Sequence, residues 1–267
     1  GQAAAVDNVN LPAGSVGGYS QEVWTERTRP VVLNQTSIII DPEDGRIPPM
    51  TPEAQARAKA EAAAGGHPVR RRSEADGDAD PEDRGLSERC ILGFSSGPPM
   101  LPGGYNNNVQ IVQTKDYVVL HAEMVHDARI IPLDGRPHLP AGITTWLGDS
   151  RGHWEGDTLV VESTNFTGKV AAFSARRGAS GYEFGSAEKT TLIERFRRVG
   201  PKTLEYEFTV NDPSTFTRPF TGRMPMNLSD GLIYEYACHE GNHGLEGILR
   251  GGRADDKKAA SAGAGKR

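Results

Sequence analysis

No stretch of this chain approaches the roughly 18 consecutive apolar residues of a transmembrane helix. Its longest apolar runs, "TSIII" (36–40) and "DYVVLHAEMV" (116–125), are strand-sized. An excess of basic charge is also missing: 30 Lys and Arg face 35 Asp and Glu, for a net charge of −5. That argues against nucleic acid as a main partner, because phosphate binding needs a basic surface. Several chemical signatures are absent too. "LPGGY" is not a phosphate-binding loop, and the serines of "GFSSGPP" lack the G-x-S-x-G spacing. There is no C-x-x-C-H for haem, and "HAEMVHD" is not the helical H-E-x-x-H of zinc proteases. No cofactor is legible, and no metal site is assigned.

Apolar residues are scarce at 36%, while Gly (32) and Pro (18) are plentiful, so turns are frequent and the core is small for 267 residues. Only two cysteines occur, Cys90 and Cys238. They are either two separate buried thiols or one disulfide, and a disulfide needs an oxidising compartment. Closing so long a loop is worth about 5 kcal/mol in the chain-entropy model. The chain starts at Gly1, and "GQAAAVDNVN" has the polar texture of a processed, exported N-terminus. The expected location is periplasmic or secreted.

What is present divides the chain into three. Residues 1–89 form a polar N-terminal arm. Trp24 is an anchor, "NQTSIII" a short strand, and "TPEAQARAKAEAAAGG" a surface helix with Thr51 as N-cap and Pro52 at its first position. A charged linker follows from Gly66 to Glu88. Residues 90–250 are rich in β-formers broken by turns. In "TLEYEFTV", Leu204, Tyr206, Phe208 and Val210 alternate with Glu205, Glu207 and Thr209. Tight turns are expected at Asp134-Gly135, at Glu155-Gly156-Asp157 and at Gly200-Pro201, and "GLIYEYACHE" reads as a last strand. Residues 251–267 read as a low-complexity, mobile tail. The fold class is therefore mainly β: an antiparallel barrel or sandwich, a lipocalin-like barrel among the options, with a long irregular arm and one short surface helix.

Long stretches carry a resemblance. "SIIIDPEDGRIPPMTPEAQ", "RCILGF", "GGYNNNVQIVQT", "EMVHDARIIPLDGRPHLP", "WLGDSRGHWEGDTLVVESTNFT", "LIERFRRVGPKTLEYEFTVNDPSTFTRPF" and "YEYACHEGNHGLEGIL" cover most of Ser37 to Leu249. They resemble a large family of exported bacterial proteins of largely uncharacterised activity. The resemblance implies export, a β-rich fold and two matched cysteines. It supplies no catalytic assignment.

Two constellations could carry chemistry. In "HAEMVHD", a regular strand would put His121 and Glu123 on one face; in "YEYACHE" it would do the same for Glu235 and His239. If both pairs met in one cavity, the set could hold a divalent metal or act as acid and base. Otherwise they are polar groups that hold loops. The second constellation is "WLGDSRGHWEGD", with Asp149 and Arg151 between Trp146 and Trp154. An Asp–Arg pair beside aromatic faces suits a sugar or carboxylate ligand; it equally suits a loop clamped by an ion pair. Arg136 and His138 read as exposed loop residues. Two functions fit: a non-catalytic binding or assembly protein of the cell envelope, an extrinsic subunit on a larger partner, or an exported hydrolase or lyase acting on a carbohydrate or aromatic substrate. The partners this leaves are an envelope protein complex or a small polar ligand.

Overall fold

The computed structural model describes residues 35–63, 81, 86, 88–93, 95–102, 105–168 and 188–264. Trp24 and most of the charged linker lie outside them. The described residues form nine strands: β1 (Ile39–Asp41), β2 (Val109–Gln113), β3 (Tyr117–Ala122), β4 (Ala128–Pro132), β5 (Asp149–Glu155), β6 (Thr158–Thr164), β7 (Thr191–Gly200), β8 (Thr203–Asn211) and β9 (Phe220–Asn227). Two helices join them, α1 (Pro52–Ala63) and α2 (His243–Ala264).

The strands make two antiparallel sheets. The larger runs β1-β9-β8-β7-β6-β5 and the smaller β2-β3-β4. No ladder joins β1 to β5, so the barrel expectation gives way to an open, sandwich-like pair of sheets. Alternation explains the layers. Tyr206, Phe208 and Val210 of β8 are buried, as are Leu192, Glu194 and Phe196 of β7. From the small sheet, Val118 and Leu120 of β3 and Ile131 of β4 join the same core. Each apolar side chain among them contributes about 1.5–3 kcal/mol by leaving water.

Two glycines permit the close approaches. A Cβ on Gly152 of β5 would stand 2.8 Å from both Ile131 and Leu133, so β4 crosses β5 only because no side chain is there. A Cβ on Gly222 of β9 would strike the Phe208 ring at 2.3 Å.

The β5–β6 hairpin turns at Gly156-Asp157, where Gly156 has φ +62°, and β7–β8 turns at Pro201-Lys202. Asp134-Gly135, expected to close a hairpin, instead leads out of β4 into a long loop that returns as β5. The arm is not wholly separate from the β-domain. β1 pairs with β9, and Ile39 enters the core. At α1, the Thr51 hydroxyl accepts from the Ala54 N–H at 3.1 Å, the N-cap bond expected, and the Thr51 N–H donates to the Thr215 carbonyl.

The C-terminal third departs most from expectation. "GLIYEYACHE" is not a strand: residues 232–237 are irregular and 238–242 form a turn. It pairs with none of the described strands; β9, which precedes it, has β8 on one side and the short β1 on the other. The segment is held by other means, the Cys90–Cys238 disulfide among them. The low-complexity region beyond Gly251 is helical as far as Ala264.

Candidate functional site

Three polar clusters are built into the fold. The first lies between the sheets. Arg129 of β4 forks onto Glu194 of β7, with Nη1 donating to Oε2 at 2.6 Å and Nη2 to Oε1 at 3.0 Å. Both side chains are almost fully buried. The Tyr206 hydroxyl donates to Glu194 Oε1 at 2.7 Å and accepts from the Met100 N–H at 3.0 Å. Burial alone would lower the Arg129 pKa, but the Glu194 carboxylate overcomes it and holds the guanidinium charged. Burial, and then the same carboxylate, push the Tyr206 hydroxyl well above its usual range, so it stays a neutral donor. This cluster is closed to solvent and acts as an inter-sheet rivet.

The second cluster lies on the outer face of β5 and β6, under the loop from Leu133 to Gly148. Asp149 Oδ2 accepts from the Leu139 N–H at 3.0 Å and faces His138 Nδ1 at 2.8 Å. Asp149 Oδ1 accepts from Arg151 Nη1 at 2.7 Å. His138 Nε2 faces Glu162 Oε1 at 3.1 Å, and Arg151 Nε donates to the Pro137 carbonyl. Burial raises the Asp149 pKa, but the Leu139 N–H, His138 and Arg151 together hold the carboxyl below its ordinary range. The two carboxylates sit at opposite edges of the His138 ring, so they cannot converge on one cation beside it. Asn165, in the left-handed region at φ 56°, locks the loop by donating to the Leu139, Pro140 and Ile143 carbonyls.

Asp149 and Arg151 thus form the pair that their spacing suggests. Of the two tryptophans, Trp154 does not face it. Trp154 alternates onto the opposite face of β5 and is 45% exposed, while Trp146 is half-buried in the turn before Gly148. His138, read as an exposed loop residue, is instead the centre of the cluster. Sequence offers no sign of this, because its two partners lie 11 and 24 residues away.

The third cluster brings "HAEMVHD" and "YEYACHE" together, though not through the expected groups. β3 stops at Ala122, so Glu123 leaves the strand and does not share a face with His121. Glu123 is buried; its Oε2 accepts from Asn108 Nδ2 at 2.8 Å and its Oε1 from the Tyr234 N–H at 3.1 Å. His126 Nδ1 lies 3.0 Å from the Tyr236 carbonyl. His121 is half-buried on the outer face of β3, whereas Glu235 and His239 are exposed. Among the described residues no three His, Cys, Asp or Glu side chains are placed to hold a metal.

Backbone strain marks this place. Val125 (φ 57°) and His126 (φ 45°) both occupy the left-handed region, which is costly for a β-branched side chain. The Ser96 hydroxyl fixes the turn by donating to the Met124 carbonyl at 2.9 Å. Burial raises the pKa of neighbouring Asp127 above the usual carboxylate value, against hydrogen bonds from Ser96 and Gly93 and the nearby His126. Asp127 Oδ2 has no hydrogen-bond partner among the described residues. The disulfide anchors the cluster from the other side, and Asn242 Nδ2 donates to the Glu88 carbonyl.

Between the Leu228 N–H, which donates to the Lys202 carbonyl, and Cys238, the chain runs across the surface; Ile233 and Tyr236 are half-buried, and three large side chains face outward. Leu228 is 62% exposed, Leu232 85% and Tyr234 75%. No family profile matches this chain, and no curated protein or solved structure is significantly similar to it.

Proposed function

We propose that this protein is an exported, soluble, non-catalytic subunit of the cell envelope that docks extrinsically on a larger partner. The observation that carries the reading is the 228–237 segment. It is pinned at one end by Lys202, in the middle by Glu123 and at the other end by the disulfide, and it turns Leu228, Leu232 and Tyr234 to solvent. A tethered segment has little ordering entropy left to lose on binding, and an exposed aromatic side chain such as Tyr234 is a frequent anchor of an interface. Several groups that could do chemistry are held by partners: both Glu123 oxygens, both His138 nitrogens and both Glu194 oxygens. The disulfide and the family resemblance support a periplasmic or secreted location.

Native gels of the source envelope fraction test the reading. The chain should co-migrate with a membrane complex in fixed stoichiometry and come off in a high-salt or alkaline wash. Leu232→Asp with Tyr234→Ser should abolish the co-migration without changing the far-UV spectrum. A chain that migrates alone in fresh envelope fractions would overturn it.

A second reading has its own support: an exported hydrolase or lyase acting on a carbohydrate or aromatic substrate. The strained Val125-His126 turn and the raised Asp127 carboxyl lie where two polar segments meet, a combination found at catalytic sites. Under that reading Asp127→Asn removes turnover of aryl glycosides or esters while leaving the fold intact.

A further inference from the structure

Sheet edges invite other strands, and soluble proteins usually guard them. Three of the four edges here are guarded, each differently. β1 is only three residues long, is irregular in register and runs into Pro42. β5 is overlain by β4 at Gly152 and by the 133–148 loop. β4 is the strand that lies against β5.

Among the described residues β2 has none of these devices. Its sequence "VQIVQ" contains no charge, no proline and no glycine, and four of its five residues are exposed. The hydrogen-bond phase shows which groups are open. The Thr114 N–H donates to the Tyr117 carbonyl and the Glu123 N–H to the Asn108 carbonyl. Pairs alternate between bonded and non-bonded along an antiparallel ladder, so Gln110 and Val112 bond to β3. The N–H and C=O groups of Val109, Ile111 and Gln113 therefore point away from the sheet.

We propose that this edge is a homodimer interface, in which β2 pairs antiparallel with β2 of a second copy about a two-fold axis at Ile111. That register sets Ile111 opposite itself and Val109 opposite Gln113 of the partner copy, satisfying all six open main-chain groups. The charge pattern permits this occupant. Between copies of a chain of net charge −5, the edge offers a contact on which no like charges meet: Gln110 falls opposite Val112, and Asn108 opposite Thr114. Ile111, 38% exposed beside inward-facing Leu120, gains the cover it lacks. The pairing is isologous, so it consumes the edge in both copies and closes at two rather than growing a fibre. Five residues a side fall short of the roughly 800 Å² per partner of a standard interface, so the dimer is weak and depends on concentration. It does not rest on the docking role of the 228–237 segment.

Sedimentation of the purified full-length chain over about a thousandfold range of concentration tests it. The mass should rise from monomer to dimer and stop there. Gln113→Pro removes one edge donor on each copy without touching the β2–β3 ladder, and Ile111→Lys sets like charges face to face across the axis. Each should shift the midpoint at least about tenfold toward higher concentration, whereas Val199→Lys, at the far end of β7, should not. If Ile111→Lys unfolds, Gln113→Pro decides alone. A chain that stays monomeric throughout overturns the proposal and leaves the edge to a strand of another polypeptide. A dimer indifferent to Gln113→Pro, or growth beyond two, overturns it as well.

Discussion

The Arg129–Glu194–Tyr206 cluster and the His138–Asp149–Arg151–Glu162 cluster use the same chemistry under different conditions. Each joins a segment to the six-stranded sheet with carboxylates and cations. The first does so with almost no solvent access; in the second, His138 and Glu162 are partly in water. In the interior a charge that loses its partner has nothing to replace it, whereas at the surface water substitutes. The buried cluster therefore fixes how the two sheets face each other, and the outer one only fastens a loop.

The largest expected effect breaks the buried side alone. Arg129→Ala strands the Glu194 carboxylate and should lose about 3–5 kcal/mol in denaturant unfolding. Arg129→Met with Glu194→Leu should recover much of that loss, because no charge is left behind. A double variant as unstable as the single one would mean that packing, not charge, is what the site supplies.

Next in size is the covalent tether. Cys90→Ser with Cys238→Ser should cost about 2–4 kcal/mol and speed hydrogen exchange around Tyr234 and Val125. Unchanged exchange there would show that Glu123 and His126 hold the segment unaided.

The outer cluster should respond more mildly and to pH. The folded Asp149 carboxyl lies below its ordinary pKa. Its stabilising contribution is thus fully present above the unfolded value and is lost as pH falls through the folded one. Asp149→Asn should flatten the acid limb of the stability curve, while His138→Ala should cost under about 1 kcal/mol at neutral pH. An equal loss from His138→Ala and Arg129→Ala would erase the contrast between the clusters. The smallest effect is expected at Asp134, whose carboxyl pKa is held at about 2 by the adjacent Arg136 on the exposed surface. Asp134→Ala should leave the unfolding midpoint unchanged.

Local rules made part of this architecture legible. Alternation in "TLEYEFTV" placed Tyr206 and Phe208 inward, and Thr51 capped its helix, because both depend only on near neighbours. Glu194 was legible in principle: it stands between Leu192 and Phe196 on an inward face, a position where a charge requires a buried partner. The disulfide was one of two readings open to a chain with just two cysteines, and the structure contains it. His138 was not legible, since its role depends on a loop folding back over β5 and β6. "GLIYEYACHE" was misread as a strand because alternation records only suitability for a sheet. What a segment pairs with is a property of the whole fold, and this one lies irregular, tied by Glu123 and the disulfide.

Cys90 and Cys238 lie 148 residues apart in sequence, and every strand from β2 to β9 falls between them. Most of the β-domain is thus a covalent ring from which the arm and α2 emerge as two free ends. A peptidase that cuts the ring once opens it without releasing a fragment. Such a nicked molecule keeps its full mass, plus one water, until a reductant is added. Only then do two pieces separate, one carrying the arm and the other α2.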